Sequence, residues 1–94
     1  MMEQKEFCIL TVIGRDQVGI VWKISEFLAK NNINIEDISQ RLMAGNFVMA
    51  MMVSINHTSL DMNQIQEELE KIGTELGLKI QFQHTDIFKT MHRV

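Results

Sequence analysis

At 94 residues, with 46% apolar and 22% charged side chains, the chain has the size and composition of one globular domain over residues 1–94 and is too short for two. A formal charge of −3 argues against broad binding to a nucleic-acid backbone, and the single cysteine, Cys8, excludes an internal disulfide. No apolar run approaches the ~20 residues of a membrane helix, and with no signal-peptide pattern the sequence reads as cytoplasmic.

Residues 6–14 read as a strand whose two alternating faces are both mainly apolar, as a central strand covered on both sides would be. Residues 17–31 read as a helix: Ile20, Ile24, Phe27 and Leu28 share one stripe, and Asp16 is placed to cap the first turn. Trp22, the only tryptophan, sits about 160° from the centre of that stripe. Two readings of it stay open, an exposed surface residue or an anchor for a partner. Residues 34–43 give a second strand with weaker patterning, and Ala44, Gly45 and Asn46 signal a turn. Residues 47–55 give a third strand, again apolar on both faces, with Met49, Met51 and Met52 suited to core or dimer packing.

The second helix carries the clearest signature. Asp61 with Gln64 three residues later matches a capping box, Leu60 with Ile65 matches a hydrophobic staple, and Gly77 is a left-handed stop. Between them Met62, Ile65, Leu69, Ile72 and Leu76 recur at helical spacing, and Glu67 stands four residues before Lys71 as an ion pair. Leu78, Ile80 and Phe82 alternate with Lys79, Gln81 and Gln83 in a half-buried strand over 78–84, and Ile87, Phe88 and Met91 suit a helical turn in the tail from Asp86 to Val94. Strand, helix, strand, strand, helix, strand is the order of a ferredoxin-like α+β sandwich: a four-stranded antiparallel sheet with two helices on one face and right-handed crossovers. Strands one and three are then central. Their second apolar face needs a cover, and a second subunit would supply it.

The segment from Ile13 to Ile24 is the most informative for function. A strand ends near Gly14, a polar turn follows, and a helix starts with Gly19 inside its first turn. First-turn N–H groups lack partners inside the helix and favour an anion such as a carboxylate. Gly19 lets a ligand approach the backbone. Reactive side chains are not arranged for catalysis: Cys8 has no CxxC partner, His57, His84 and His92 lack metal-ligand spacing, and Glu36 and Asp37, adjacent in a strand, point to opposite faces. The chain reads as a binding module with no catalytic residues, no metal site and no cofactor, and not as an enzyme.

These residues resemble a known family. Gly14-Arg15-Asp16-Gln17-Val18-Gly19-Ile20-Val21, Asn34-Ile35 and Phe47-Val48-Met49 together resemble the ACT domain, a regulatory βαββαβ module. The run from Asn34 to Gln40 and the ending Ile87 to Arg93 look like the small stand-alone ACT proteins of the UPF0237 type, with related domains in formyltetrahydrofolate deformylase and the glycine-cleavage repressor. The resemblance implies a homodimer that binds an amino acid or related metabolite between the first loop of one subunit and the start of strand two of its neighbour. The ligand-binding residues it implies are Gly14, Arg15, Asp16, Gln17, Val18, Gly19, Asn34 and Ile35. Asp16 stands where the family carries a loop asparagine, and Gly14 where the serine-binding type has a histidine. A carboxylate at 16 repels a ligand carboxylate and suits an ammonium group.

Three other readings compete. A structural or protein-interaction module would use the sheet and Trp22 surfaces without a metabolite. An acylphosphatase-like enzyme shares the topology, and Arg15 with Asn34 superficially fits it, but Asp16 disfavours phosphate and the loop sequence of that family is absent. An RNA-binding module would need aromatic residues along strands one and three and basic surroundings. Phe7 and Phe47 are there, but Met, Val and Ala fill the rest of strand three and the charge is negative.

Overall fold

Every second side chain of the first strand disappears into the interior: Cys8, Leu10 and Val12 are fully buried. This is β1 (Phe7–Arg15) in a computed structural model that describes residues 5–85. It is followed by α1 (Ile20–Lys30), β2 (Asn34–Met43), β3 (Asn46–Ser54), α2 (Met62–Leu76) and β4 (Leu78–His84). The four strands form one antiparallel sheet in the order β2-β3-β1-β4, so the two strands with the most apolar sequences are the central ones. The expected tail turn over Asp86–Val94 lies outside the described residues.

One sheet face meets both helices. Met49, Met51 and Val53 of β3 join Cys8, Leu10 and Val12 there, together with Ile20, Ile24 and Leu28 of α1 and Ile65, Leu69 and Ile72 of α2. Cys8 Sγ lies 3.8 Å from Met62 Sδ, where β1 passes under the start of α2. On the other face Ile13 and Met52 are exposed by 49% and 36%, and Phe7, Ile9, Thr11 and Val48 are half-buried. Met52 therefore parts from Met49 and Met51, because neighbouring strand positions point to opposite faces.

The helix ends follow local chemistry. At α2 Asp61 Oδ1 accepts from the Gln64 N–H at 2.8 Å, and Gln64 Oε1 accepts from the Asp61 N–H at 2.9 Å, a complete capping box. Gly77 ends that helix at φ 70°, donating its N–H to the Gly73 carbonyl. At α1 the expectation needs correction. The helix starts at Ile20 and its N-cap is Gly19, at φ 92° and ψ 2°, without a side-chain cap. Asp16 is not the cap, since the connection from β1 runs three residues further before the chain turns. Gly19 consequently stands before the first turn and not inside it; glycine is there for a left-handed backbone that L side chains disfavour. The Glu67–Lys71 pair is also replaced: Lys71 Nζ bonds Glu68 Oε1 at 3.1 Å, one helical turn away at i, i+3.

Candidate functional site

The connection from Arg15 to Gly19 is exposed throughout, and Val18 projects wholly into solvent. One contact fixes its path: Gln17 Nε2 donates to the Leu76 carbonyl at 2.7 Å, satisfying a backbone oxygen at the end of α2. Beyond that anchor the chain turns through Gly19, whose carbonyl accepts the first helical bond, from the Lys23 N–H at 2.9 Å. The first turn of α1 carries no acidic side chain and no side-chain cap. Its leading N–H groups lie beside a residue where an added Cβ would meet nothing within 4 Å. Gly14 has a different reason to be glycine. It lies within β1, and a Cβ on it would fall 2.6 Å from Leu78 Cδ2, so its bareness makes room for the start of β4.

Asn34 and Ile35 open β2. Ile35 is half-buried against the core, and Asn34 is exposed. Asn34 pairs with Ser54, which pairs with Phe7 at the beginning of β1, whereas Arg15 at the far end of β1 pairs with Asn46. The two ends are the first and last of the nine residues of β1, so eight steps of ~3.3 Å, roughly 26 Å, separate them. Within one chain the sheet thus brings Gly14, Arg15, Asp16, Gln17, Val18 and Gly19 together at one end and leaves Asn34 and Ile35 at the other. An open groove lies beside Asn34 and Ile35, lined further by Ser25, Ala29, Asn32, Ile33 and His57.

A carboxylate that the sequence reading set aside organises this second end. Glu36 occupies a bulge in β2: Ile35 pairs with Val53, Asp37 with Met52, and Glu36 is the extra residue. The strict alternation expected for Glu36 and Asp37 fails there. The Glu36 carboxylate instead reaches back to Asn34 and Ser54. Its Oε2 accepts from Asn34 Nδ2 at 2.7 Å and from Ser54 Oγ at 2.8 Å, and Lys5 Nζ donates to both carboxylate oxygens at 3.1 Å. The Asn34 amide first, then the Ser54 hydroxyl and Lys5, hold the Glu36 carboxyl down at about 2 from an ordinary 4.5. Ser54 is the one buried polar side chain among the described residues, and a serine closing an otherwise apolar strand was the signal available for this cluster. Among the described residues, no group of three or more His, Cys, Asp or Glu side chains could hold a metal, and no helix is long and apolar enough to cross a membrane.

The fold is that of a βαββαβ module, and residues 6–83 match the model of the ACT domain family: the chain belongs to the ACT domain family. Within it, the chain is similar to the UPF0237 proteins. It is 50% identical to one from Methanocaldococcus jannaschii over 92% of this chain and 96% of the relative, and 45% identical to one from Listeria innocua over 92% and 97%. Among solved structures it superposes on an ACT domain protein from Streptococcus pneumoniae with a TM-score of 0.80 at 35% identity, covering 90% of this chain and 96% of that one. A formyltetrahydrofolate deformylase from Pseudomonas syringae matches with a TM-score of 0.79 at 26% identity, over 88% of this chain and 28% of the enzyme. A glycine cleavage system transcriptional repressor, at 18% identity and a TM-score of 0.76, shares the fold.

Proposed function

We propose that the protein is a regulatory binding module that takes a small carboxylate-bearing metabolite, an amino acid in the first instance, between two copies of the chain. The observation that carries this reading is the uncapped start of α1. Its N–H groups are left without a side-chain acceptor, on an exposed loop, behind a glycine that adds no bulk. An anion is the natural acceptor at such a helix start. Membership of the ACT domain family, whose members are typically ligand-binding regulators, supports it.

A second copy is needed because Asn34 and the Arg15–Gly19 loop stand at opposite ends of the sheet. The surface beside β2 suits that copy, in place of the uncovered face of β1 and β3 on which the sequence pattern put it. β2 is a ten-residue edge strand with Ile38 and Leu42 exposed by 41% and 63%. Trp22, Ser25 and Ala29 fall at helical spacing, and Ser25 and Ala29 line the groove at the start of β2, so this stripe of α1 faces the same side. A long edge strand with apolar neighbours invites pairing with another strand. A two-fold axis that sets β2 antiparallel to its counterpart makes the contact self-complementary. It carries the loop of one copy toward Asn34 of the other.

Light scattering and a thermal-shift screen test the reading together. A dimer at micromolar concentration is expected, reduced to a monomer by Leu42→Lys. Among the standard amino acids at least one should raise Tm, since ligand at 100 times its Kd stabilises by ~2.7 kcal/mol. Gly19→Asn, which tolerates a left-handed backbone while filling the approach, should abolish that shift and leave the dimer intact. A monomeric parent, or a parent whose Tm no amino acid moves, would favour the protein-interaction reading.

A further inference from the structure

The bulged Glu36 is hydrogen-bonded to Asn34, the polar side chain that opens β2 in the proposed site. A carboxylate can only accept hydrogen bonds, so the Asn34 amide beside it must present Nδ2 and not Oδ1. At 2.7 Å that bond fixes the amide orientation. Ser54 and Lys5 hold the carboxylate from two other directions, so it cannot swing aside to let the amide turn over. With Nδ2 engaged, the Asn34 oxygen is the group that faces away from Glu36. We infer that Glu36 is a positioning residue: it holds the Asn34 amide with its oxygen outward, so that the site selects a ligand that donates a hydrogen bond there, such as an ammonium group. This rests on the ligand reading of Asn34 given above. The hydrogen bonds that favour the charged form of Glu36 keep its carboxylate ionised, and so an acceptor, throughout the neutral range.

The arrangement divides the labour between the two ends of the sheet. The start of α1 offers N–H donors, suited to a carboxylate, and Asn34 offers an acceptor, suited to an amine. A ligand bridging two copies would be oriented by that difference alone.

Two measurements on the intact chain test it. In 1H–15N spectra without ligand, the Asn34 side-chain NH2 pair should be well separated in the parent. The separation should narrow to that of a solvent-exposed amide in Glu36→Ala and keep its parent value in Glu36→Gln, whose amide oxygen can accept in the same place. Lys5→Met removes the ion pair but not the Asn34 bond and should leave the pair unchanged. In calorimetric titrations, each standard amino acid is set against its deaminated carboxylic acid. The parent should favour the amine form by roughly tenfold or more, and Glu36→Ala should narrow that ratio at least threefold while Glu36→Gln restores most of it. An Asn34 NH2 pair unchanged in Glu36→Ala overturns the inference whatever the binding data. A pair narrowed to the solvent-exposed value with unchanged selectivity, in a protein where Asn34→Ala weakens binding, also overturns it and leaves the ligand reading standing. If the parent binds no amino acid, or Asn34→Ala binds like the parent, the ligand reading falls and the role of Glu36 falls with it.

Discussion

The two helices begin in opposite ways. α2 closes its own start: Asp61 and Gln64 exchange hydrogen bonds, and Leu60 and Ile65 pack into the core on either side of them. α1 starts from a left-handed glycine with no side-chain cap, and the nearest polar side chain that makes a contact, Gln17, spends it on the end of the other helix. Both helices bury an apolar face of similar quality against the same sheet, so packing does not require the difference. A helix start that only has to be stable looks like α2. A start that leaves its N–H groups facing outward looks like α1, and the stability forgone there is small, roughly a few tenths of a kcal/mol for glycine in place of a capping side chain.

The comparison is broken most forcefully by Gly19→Val. A β-branched side chain at φ 92° should destabilise by about 2 kcal/mol through backbone strain, although open space surrounds the position. Urea unfolding that shows a loss below about 0.5 kcal/mol would mean that the connection relaxes and that glycine is not required by conformation. Next comes Asp61→Ala, with an expected loss of about 1 kcal/mol and a fall in Tm of roughly 4–8 °C for a domain of this size. Gln64→Ala should do less, because the Asp61 carboxylate still accepts from the backbone. Gln17→Ala should cost about 0.5–1 kcal/mol and be better seen locally. Amide exchange should quicken at Val18–Val21 and stay unchanged at the start of α2.

The smallest effect sharpens the contrast from the other end of the sheet. Glu36 has a folded-state value of about 2 against an ordinary 4.5. Its contribution to stability is therefore fully present above pH 4.5 and lost as pH falls toward 2. Glu36→Gln should flatten that part of the stability profile, while Asp61→Ala should leave its shape intact.

Signals confined to a few neighbouring residues were legible in the sequence. The Asp61–Gln64 pair, the Gly77 stop, the alternation through Leu78, Ile80 and Phe82, and the doubly apolar β1 and β3 all correspond to elements in place. Asp16 misled because an acidic residue before an apolar periodic run carries a cap signal, whereas the left-handed corner at Gly19 is set by how the chain leaves β1 past Leu76. Glu36 was passed over because its role arises from a bulge and from Ser54, eighteen residues away, and neither lies in a local pattern. Of the candidate site, the residues were legible as two stretches. Their placement at opposite ends of one sheet follows only from the strand order.

The contact between Cys8 and Met62 also makes the molecule its own clock. The chain has one thiol, with no exposure to solvent, sealed between the central strand and the beginning of α2. An alkylating reagent can reach it only when that seam parts. The rate of labelling in native buffer therefore counts openings of the core one molecule at a time, without denaturant, and a bound metabolite that steadies the fold would slow the count in proportion to its occupancy.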